Sequence, residues 1–350
     1  MNLVFDGHND VLLRLWRSRN EGRNPVAEFR NGTSAGHIDA PRAKRGGLAG
    51  GLCAIYIPSP HDFTLREPDA NGHYATPLDP PLERQPSLDI ALQMAAIAHR
   101  LDQDGTWRLC RTTGEIRQAM ADGVFAAVMH MEGCEAIDAD LEALEVFYAA
   151  GLRSLGPVWS RNNIFGHGVP FAYPSSPDTG PGLTKAGEDL IRACNRLGIL
   201  IDLAHITETG FWDVERLSDQ PLIASHSNVH ALTPVARNLT DRQMDAIRAS
   251  QGLVGLNYAV TMLRPDGRDD AETSLATMVS HIDYLVDRMG IDCVALGSDF
   301  DGATIPNVIG DAAGNQRLVT ALKERGYGPS DLDKICRENW LRVLASAWHE

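Results

Sequence analysis

Residues 3–10 read LVFDGHND, a short apolar run that leads directly into polar residues. Side chains two residues apart in a β-strand lie on the same side, so His8 and Asp10 would converge at the end of one strand. An imidazole and a carboxylate in this arrangement are typical ligands of a divalent metal. The segment therefore predicts the first strand of a sheet and the beginning of a metal site.

Short apolar runs rich in β-forming residues recur along the chain, and segments with helical periodicity separate most of them. The eight strand candidates are Leu3–Phe5, Leu52–Ile57, Phe125–Met129, Leu152–Val158, Ile199–Leu203, Leu222–Ala224, Leu253–Leu256 and Cys293–Leu296. Alternation of eight such strands with helices predicts an α/β fold of the (β/α)8 TIM-barrel type, spanning residues 1–350 as one domain. A doubly wound open sheet is the alternative, although no glycine-rich phosphate fingerprint follows the first strand.

Helix signals accompany these strands. A capping box at Thr240 and Gln243 predicts the start of one helix, and periodic apolar residues predict another that ends at Gly290. Further helices are expected from about Thr184 to Leu197 and after Ser330. Two long proline-rich segments, residues 58–86 and 156–182, follow strands 2 and 4, and we expect them to cover the active site as lids.

The composition limits the classes of function. A net charge of −14 makes nucleic acid and anionic membranes poor partners. We find no signal peptide and no apolar window that approaches the length of a membrane span, so the expected compartment is the cytoplasm. The six cysteines are scattered without any C-x-x-C pair, which favours free thiols in a reducing compartment.

Four more ionisable residues stand where candidate strands end: Glu132, His205, His226 and Asp299. In a barrel, the carboxyl ends of the strands form a ring around one mouth, so these residues would join His8 and Asp10 there. Three histidines and three carboxylates are the composition of a two-metal hydrolase site.

The motifs around these residues resemble those of the renal (membrane) dipeptidase family of zinc peptidases, within the amidohydrolase superfamily. They lie in the expected order between about residues 4 and 302. The matching segments are DGHND at 6–10, MEG at 131–133, IDLAH at 201–205, SHS at 225–227, RN at 237–238 and GSDFDG at 297–302.

The resemblance implies two Zn²⁺ ions per chain. His8 and Asp10 would hold one zinc, and His205 and His226 would hold the other. Glu132 would bridge the two ions together with a hydroxide.

The same resemblance implies roles in catalysis and binding. The bridging hydroxide would attack the peptide carbonyl of a small dipeptide, possibly one with a D-residue at its C-terminal position. Asp299 would be the general acid/base, and Arg237 would bind the terminal carboxylate of the substrate, a bidentate task that suits a guanidinium. A homodimer is also expected from the family.

One position departs from the family pattern. The family usually carries a histidine at the end of strand four, where it contacts the carbonyl oxygen of the substrate, and here the aligned residue is Trp159. An indole N–H donates one hydrogen bond but cannot become a cation. Our hypothesis is that His167 or Arg161 supplies the missing donor, and the alternative is that both are solvated loop residues.

Two other nearby residues, His130 and Asp301, could support the ligands or Asp299 from behind.

Taken together, the motifs at the strand ends and the family resemblance predict a binuclear zinc dipeptidase. A related amide or β-lactam hydrolase on the same site is one alternative, and a catalytically silent protein that binds small peptides or metal is another. Asp299 argues against the silent binder, because a pure binder needs no acid/base there.

Overall fold

Parallel β-strands form the centre of this computed structural model, which describes residues 1–61 and 64–349. Each of the eight predicted apolar runs contains a strand, and three short strands were not predicted. The strands are β1 (Val4–Asn9), β2 (Leu48–Tyr56), β3 (Tyr74–Thr76), β4 (Trp107–Leu109), β5 (Phe125–Glu132), β6 (Leu152–Gly156), β7 (Phe171–Tyr173), β8 (Leu200–Ile201), β9 (Ile223–Ala224), β10 (Leu253–Leu256) and β11 (Val294–Leu296).

These strands form two parallel sheets and one small antiparallel sheet. The larger sheet has the order β1-β2-β5-β6-β8, with β4 paired to β5, and the second has the order β11-β10-β9. Isolated parallel bridges join Asp202 to Ile223 and Asn9 to Phe300, so the two sheets meet at both ends. The chain thus has a mixed α/β fold with a parallel half-barrel sheet, and the complete (β/α)8 barrel stays a prediction.

Helices connect the strands. They are α1 (Val11–Asn20), α2 (Pro25–Asn31), α3 (Ala40–Gly46), α4 (Arg84–Asp104), α5 (Thr113–Ala121), α6 (Glu142–Ala150), α7 (Lys185–Leu197), α8 (Glu208–Leu217), α9 (Asp241–Ala249), α10 (Val260–Leu263), α11 (Leu275–Met289), α12 (Asn315–Arg325), α13 (Pro329–Asp333) and α14 (Asn339–Ala347). Within residues 1–61 and 64–349, no helix is both long and apolar enough to cross a membrane.

The predicted helix signals have physical counterparts. The Thr240 hydroxyl accepts a hydrogen bond from the Gln243 backbone N–H, and the Gln243 side-chain oxygen accepts one from the Thr240 backbone N–H, which completes the capping box. Gly290 ends α11 with a φ of 87°, a value that L-residues rarely adopt. The helix predicted after Ser330 is interrupted by a π-helical turn at Lys334–Glu338, between α13 and α14.

The N-terminal strand is packed tightly against the last helix. A Cβ at Gly7 would lie 2.2 Å from the Trp340 indole, so only glycine fits at this point of β1. The Trp340 indole is fully buried and donates a hydrogen bond of 2.9 Å to the Leu296 carbonyl of β11. This packing fixes β1, and with it the ligand candidates that β1 carries.

The two predicted lid loops are joined to each other. Strand β3 lies in the loop after β2, β7 lies in the loop after β6, and the two pair antiparallel. The Tyr74 hydroxyl donates to the Gly267 carbonyl at 2.9 Å, and the Tyr173 hydroxyl donates to the Pro265 carbonyl at 2.8 Å. We call β3, β7 and residues 264–269 the cap.

A buried histidine on α11 illustrates how the helices are held. His281 is 1% exposed; its Nδ1 accepts from the Val229 amide at 3.2 Å, and its Nε2 contacts the Leu263 carbonyl at 3.0 Å as a donor. This arrangement requires the neutral imidazole, because a proton on Nδ1 would oppose the Val229 N–H. Burial lowers the pKa of His281 to about 4.

Candidate metal centre and active site

Glu132, the last residue of β5, lies at the centre of the histidine cluster. Its Oε1 atom is 3.6 Å from His8 Nε2, 3.0 Å from His205 Nε2 and 3.5 Å from His226 Nε2. The His205 and His226 Nε2 atoms lie 3.1 Å apart, and the His8 and His226 rings stack with centroids 3.8 Å apart. The structure therefore brings together four residues that are widely separated in sequence, as expected for residues at the carboxyl ends of parallel strands.

Asp10 and Asp299 complete the cluster on the other side of His8. His8 Nε2 is 3.5 Å from Asp10 Oδ2. One ring nitrogen of His8, one carboxylate oxygen of Asp10 and one carboxylate oxygen of Asp299 all lie within 4.8 Å of one another. The Asp299 amide donates to the His8 carbonyl at 3.0 Å, and the Asp299 carboxylate accepts from the Asn257 side chain at 3.0 Å. Asp299 has a φ of 59°, a left-handed conformation that is uncommon for a residue other than glycine.

Hydroxyl groups orient two of the histidines. The Ser160 hydroxyl lies 2.8 Å from His205 Nδ1, and the Ser225 hydroxyl lies 2.8 Å from His226 Nδ1. Ser225 also donates to the Asp202 carboxylate, so its oxygen accepts from the His226 Nδ1–H. The Nε2 lone pair of His226 is thereby left facing Glu132, the tautomer that a metal ligand requires. Neither serine was predicted from the sequence, although Ser225 directly precedes a ligand candidate.

Burial and mutual charge shift the ionisation of the cluster. Burial lowers the pKa of His205 and of His226 well below the usual value, and the neighbouring cations Arg237 and His8 add to the effect. For His8, burial opposes protonation, but Glu132 and Asp10 outweigh it and raise the pKa to about 10. Burial also raises the pKa of Glu132. A cluster of this kind is stabilised by a cation that neutralises the carboxylates together.

The polar atoms of this cluster fit a metal. Within the described part of the chain, both His8 ring nitrogens and Asp10 Oδ1 are buried and have no hydrogen-bond partner. A buried polar group without a partner costs about 1–3 kcal/mol, so three such atoms at one place need an explanation. Nitrogen and carboxylate oxygen donors at these distances suit zinc or a similar divalent ion.

Arg237 lies beside the cluster, after β9. It is 5% exposed; its Nη2 donates to the His226 carbonyl at 3.1 Å, and its Nη1 donates to the Ser227 hydroxyl at 3.4 Å. Burial lowers the pKa of Arg237 to about 10, while Asp299 and Glu132 favour the charged form. A guanidinium held in this way can bind a carboxylate.

A cavity of about 980 Å³ opens above the cluster. Its wall beside His205 is aromatic: the Trp159 ring centroid is 5.1 Å from Tyr56, 5.7 Å from Phe171 and 5.8 Å from His205. The predicted site residues that line the cavity are Asp10, Glu132, Trp159, His205, Arg237 and Asp299. His8 and His226 lie beneath them and are fully buried.

The hypothesis that Arg161 or His167 replaces the histidine of the family is not supported by their contacts. The Arg161 side chain is fully buried, and its guanidinium pairs with Glu135 at 3.0 Å. The alternative that Arg161 is a solvated loop residue is wrong, because the residue is fully buried. His167 Nδ1 contacts the Gly182 carbonyl at 2.8 Å, and within the described residues neither side chain lines the cavity.

The two residues expected to support the site differ in their positions. His130 lies behind His8 with ring centroids 5.5 Å apart, and its Nδ1 contacts the Ser154 hydroxyl at 3.0 Å. Asp301 instead faces the N-terminal helices, where it accepts from Arg14 at 3.3 Å and from the His37 amide. Asp301 also lines the cavity, but Arg14 and the His37 amide hold its carboxylate on the side of the N-terminal helices.

Comparison with known proteins identifies the family of the chain. The sequence profile of the membrane dipeptidase family, peptidase family M19, matches residues 2–349. The chain belongs to this family. It is therefore a metallo dipeptidase, a hydrolase that acts on peptide bonds, as the motifs at the strand ends predicted.

Three relatives illustrate the range of the family. A metallo peptidase from Rhodobacter sphaeroides, whose crystal structure is liganded with a phosphinate mimic of the dipeptide L-Ala-D-Ala, is 49% identical, with a TM-score of 0.95 and coverage of 99% of this chain and 100% of that one. An uncharacterized protein in the pqqA 5′ region of Klebsiella pneumoniae is 49% identical over 265 residues, which are 75% of this chain and 98% of the relative. Dipeptidase tcpJ of Claviceps purpurea is 27% identical over 351 residues, with coverage of 97% and 76%.

Proposed function

We propose that this metallo dipeptidase is a binuclear zinc enzyme that hydrolyses small dipeptides, including dipeptides with a D-residue at the C-terminal position. The observation that carries the proposal is the position of Glu132. Its Oε1 atom lies within 3.6 Å of an imidazole nitrogen from each of three separate strand ends. One carboxylate with histidines on both sides is an arrangement that suits two metal ions sharing a ligand.

The ligand sets follow from the neighbours of Glu132. His8 and Asp10 share β1 and its end, and they would hold one zinc. His205 and His226, oriented by their serines, would hold the other, with Glu132 contributing to both. Bound zinc supplies Lewis acidity, which lowers the pKa of water to about 7 and polarises a carbonyl group.

The residues of the chain would then move one proton. Asp299 lies within the group formed with His8 and Asp10, and Asn257 fixes its carboxylate. As water adds to the carbonyl carbon, Asp299 takes the proton that the water loses. It returns this proton to the amide nitrogen, so that the C–N bond breaks and the amine leaves neutral.

Substrate length would be set by Arg237 and the cap. The Arg237 guanidinium would bind the terminal carboxylate, because it is buried beside the cluster and its Nε has no partner among the described residues. The phosphinate mimic of L-Ala-D-Ala in the Rhodobacter sphaeroides relative supports a dipeptide with a D-residue. We also infer that the two parallel sheets, which meet at both ends, complete a (β/α)8 barrel in one domain spanning residues 1–350.

The test is turnover of a panel of L-L and L-D dipeptides by metal-replete protein, with and without a chelator. We expect chelator-sensitive hydrolysis and a zinc content near two per chain. Asp299→Asn should abolish turnover without loss of zinc, whereas Asp287→Asn, on the exposed side of α11, should leave both unchanged.

Each alternative has its own outcome. Loss of zinc from Asp299→Asn would show that a ligand had been misassigned. Hydrolysis of β-lactams or other amides without hydrolysis of any dipeptide would favour the related amide hydrolase. Binding of zinc without any turnover would favour the silent binder.

A further inference from the structure

Tyr56 places a further polar group beside Glu132. Tyr56 is the last residue of β2 and pairs with Glu132 in the parallel register between β2 and β5. Side chains of directly paired residues lie on the same face of a sheet, so Tyr56 points to the side of Glu132. It lines the cavity together with Glu132 and Asp10 and is 8% exposed.

Within residues 1–61 and 64–349, the Tyr56 hydroxyl has no hydrogen-bond partner among the protein groups. The two tyrosines of the cap differ from Tyr56 in this respect, since the Tyr74 and Tyr173 hydroxyls donate to backbone carbonyls. The polar end of a tyrosine usually has a hydrogen-bond partner, and a phenol in the wall of a cavity can find that partner in a bound molecule. The Tyr56 hydroxyl is therefore a donor that faces the cavity and is available to a bound molecule.

The position of this donor is fixed from two directions. The Tyr56 ring packs edge-on against Trp159, with centroids 5.1 Å apart. The Arg161 guanidinium donates to the carbonyl of the next residue, Ile57, at 2.9 Å and lies 5.3 Å from the Trp159 ring. A donor held by packing and by a buried cation needs little reorganisation during a reaction.

We propose that the Tyr56 hydroxyl donates a hydrogen bond to the oxygen of the scissile carbonyl as that carbon becomes tetrahedral. This inference rests on the proposed dipeptidase function. Addition of water to a carbonyl places negative charge on the oxygen, next to carboxylates that would repel it, so a donor there stabilises the transition state more than the substrate. The phenol keeps its proton throughout, and the proton that moves is the one carried by Asp299.

The proposal also accounts for the departure at the end of strand four. Trp159 cannot supply the cationic donor of the family, but its ring supports the neighbouring phenol. The donor would thus come from β2 in this chain, beside the position where the family places it.

Tyr56→Phe tests this directly, because it removes only the hydroxyl. The matched control is Tyr284→Phe, which makes the same change on α11, at a tyrosine whose hydroxyl donates to Asp241 at 2.8 Å and which does not line the cavity. For both variants we would measure zinc content, kcat and KM on the best dipeptide, and, by calorimetry, the Kd of the phosphinate mimic of L-Ala-D-Ala.

We expect Tyr56→Phe to lower kcat by about 10- to 100-fold, less than the loss of about 100- to 1000-fold from removing a main oxyanion donor, because bound zinc would share the charge. The Kd of the tetrahedral phosphinate should rise by a similar factor, while KM and zinc content stay close to those of the parent chain. Tyr284→Phe should leave all four values unchanged.

Three results would overturn the proposal: an unchanged kcat and phosphinate Kd, a rise confined to KM, or loss of zinc. The failure of the proposed function looks different, since the unaltered protein would then turn over no dipeptide. In that case the phosphinate Kd still decides the role of Tyr56, because calorimetry requires no turnover.

Discussion

Replacement of Arg161 with methionine should destabilise the protein strongly. The Arg161 and Glu135 side chains are both fully buried. Arg161 donates to Glu135 Oε1 from Nε at 3.2 Å and from Nη2 at 3.0 Å, to the Ile57 carbonyl at 2.9 Å and to the Ser59 hydroxyl at 3.2 Å. Arg161→Met leaves the Glu135 carboxylate in an apolar interior without a counter-charge, which costs about 3–5 kcal/mol.

The size of the change in Tm follows from the length of the chain. Unfolding entropy near 60 °C is about 2 cal/mol/K per residue, so a chain of 350 residues loses about 1.4 °C for each kcal/mol. We therefore expect Tm to fall by about 4–7 °C, measured by calorimetry at a fixed excess of zinc so that metal linkage stays constant. Arg108→Met breaks the exposed ion pair with Asp122 and is the control, for which we expect no measurable change.

A second substitution tests the reason for the loss. Burial raises the pKa of Glu135, and Arg161 opposes that rise. Without Arg161 the folded protein should bind a proton at Glu135, so the deficit of Arg161→Met should shrink as the pH falls toward the ordinary pKa of a glutamate. The double variant Arg161→Met/Glu135→Leu should recover most of the loss. A double variant whose loss equals the sum of the two single losses would refute the reasoning.

Three further predictions concern the site and the core. Ser225→Ala removes the hydroxyl that orients His226, and we expect zinc affinity to fall by about 10- to 100-fold in chelator competition; an unchanged affinity would exclude this role. Gly302→Ala would place a Cβ 2.1 Å from Asp10 Oδ2 and 2.5 Å from Asp299 Oδ1, so the turnover rate should fall at least about tenfold. The control is Gly114→Ala, whose Cβ would meet no atom closer than 3.8 Å and should leave the turnover rate unchanged. Because burial lowers the pKa of His281 from 6.5 to about 4, protonation favours the unfolded chain, and stability should fall by up to about 3 kcal/mol as the pH drops from 6.5 to 4. His281→Gln should flatten this loss in urea titrations at each pH, and an equally steep loss would contradict the assignment.

The strands and the ligand cluster could be predicted because local pattern determines them. Each apolar run that is buried on both faces contains a strand, and its polar end places a residue such as Glu132 or His226 at the common edge of the parallel strands. The capping box at Thr240 is equally local, and the structure confirms it.

What could not be predicted depends on distant partners. Strands β3 and β7 have three residues each and form only because they pair with each other across the chain. Arg161 lies in a segment that looks like a solvated loop, and its burial becomes apparent only when Glu135 is seen beside it. Ser160 and Ser225 carry no signal of their own, since a serine is an ordinary residue until an imidazole lies against it.

The pairing within the cap has a consequence for engineering. Strand β3 belongs to the loop after β2, β7 belongs to the loop after β6, and Tyr74 and Tyr173 tie both to residues 265–267. A Cβ at Gly267 would lie 2.5 Å from the Tyr173 ring, so residues 265–267 pack against β7 too closely for a side chain at this position. These three segments therefore form one structural unit. A chimera that takes only one of these loops from a relative would contain one strand of the β3–β7 sheet without its matching partner. To change substrate specificity by loop exchange, all three segments would have to be replaced together.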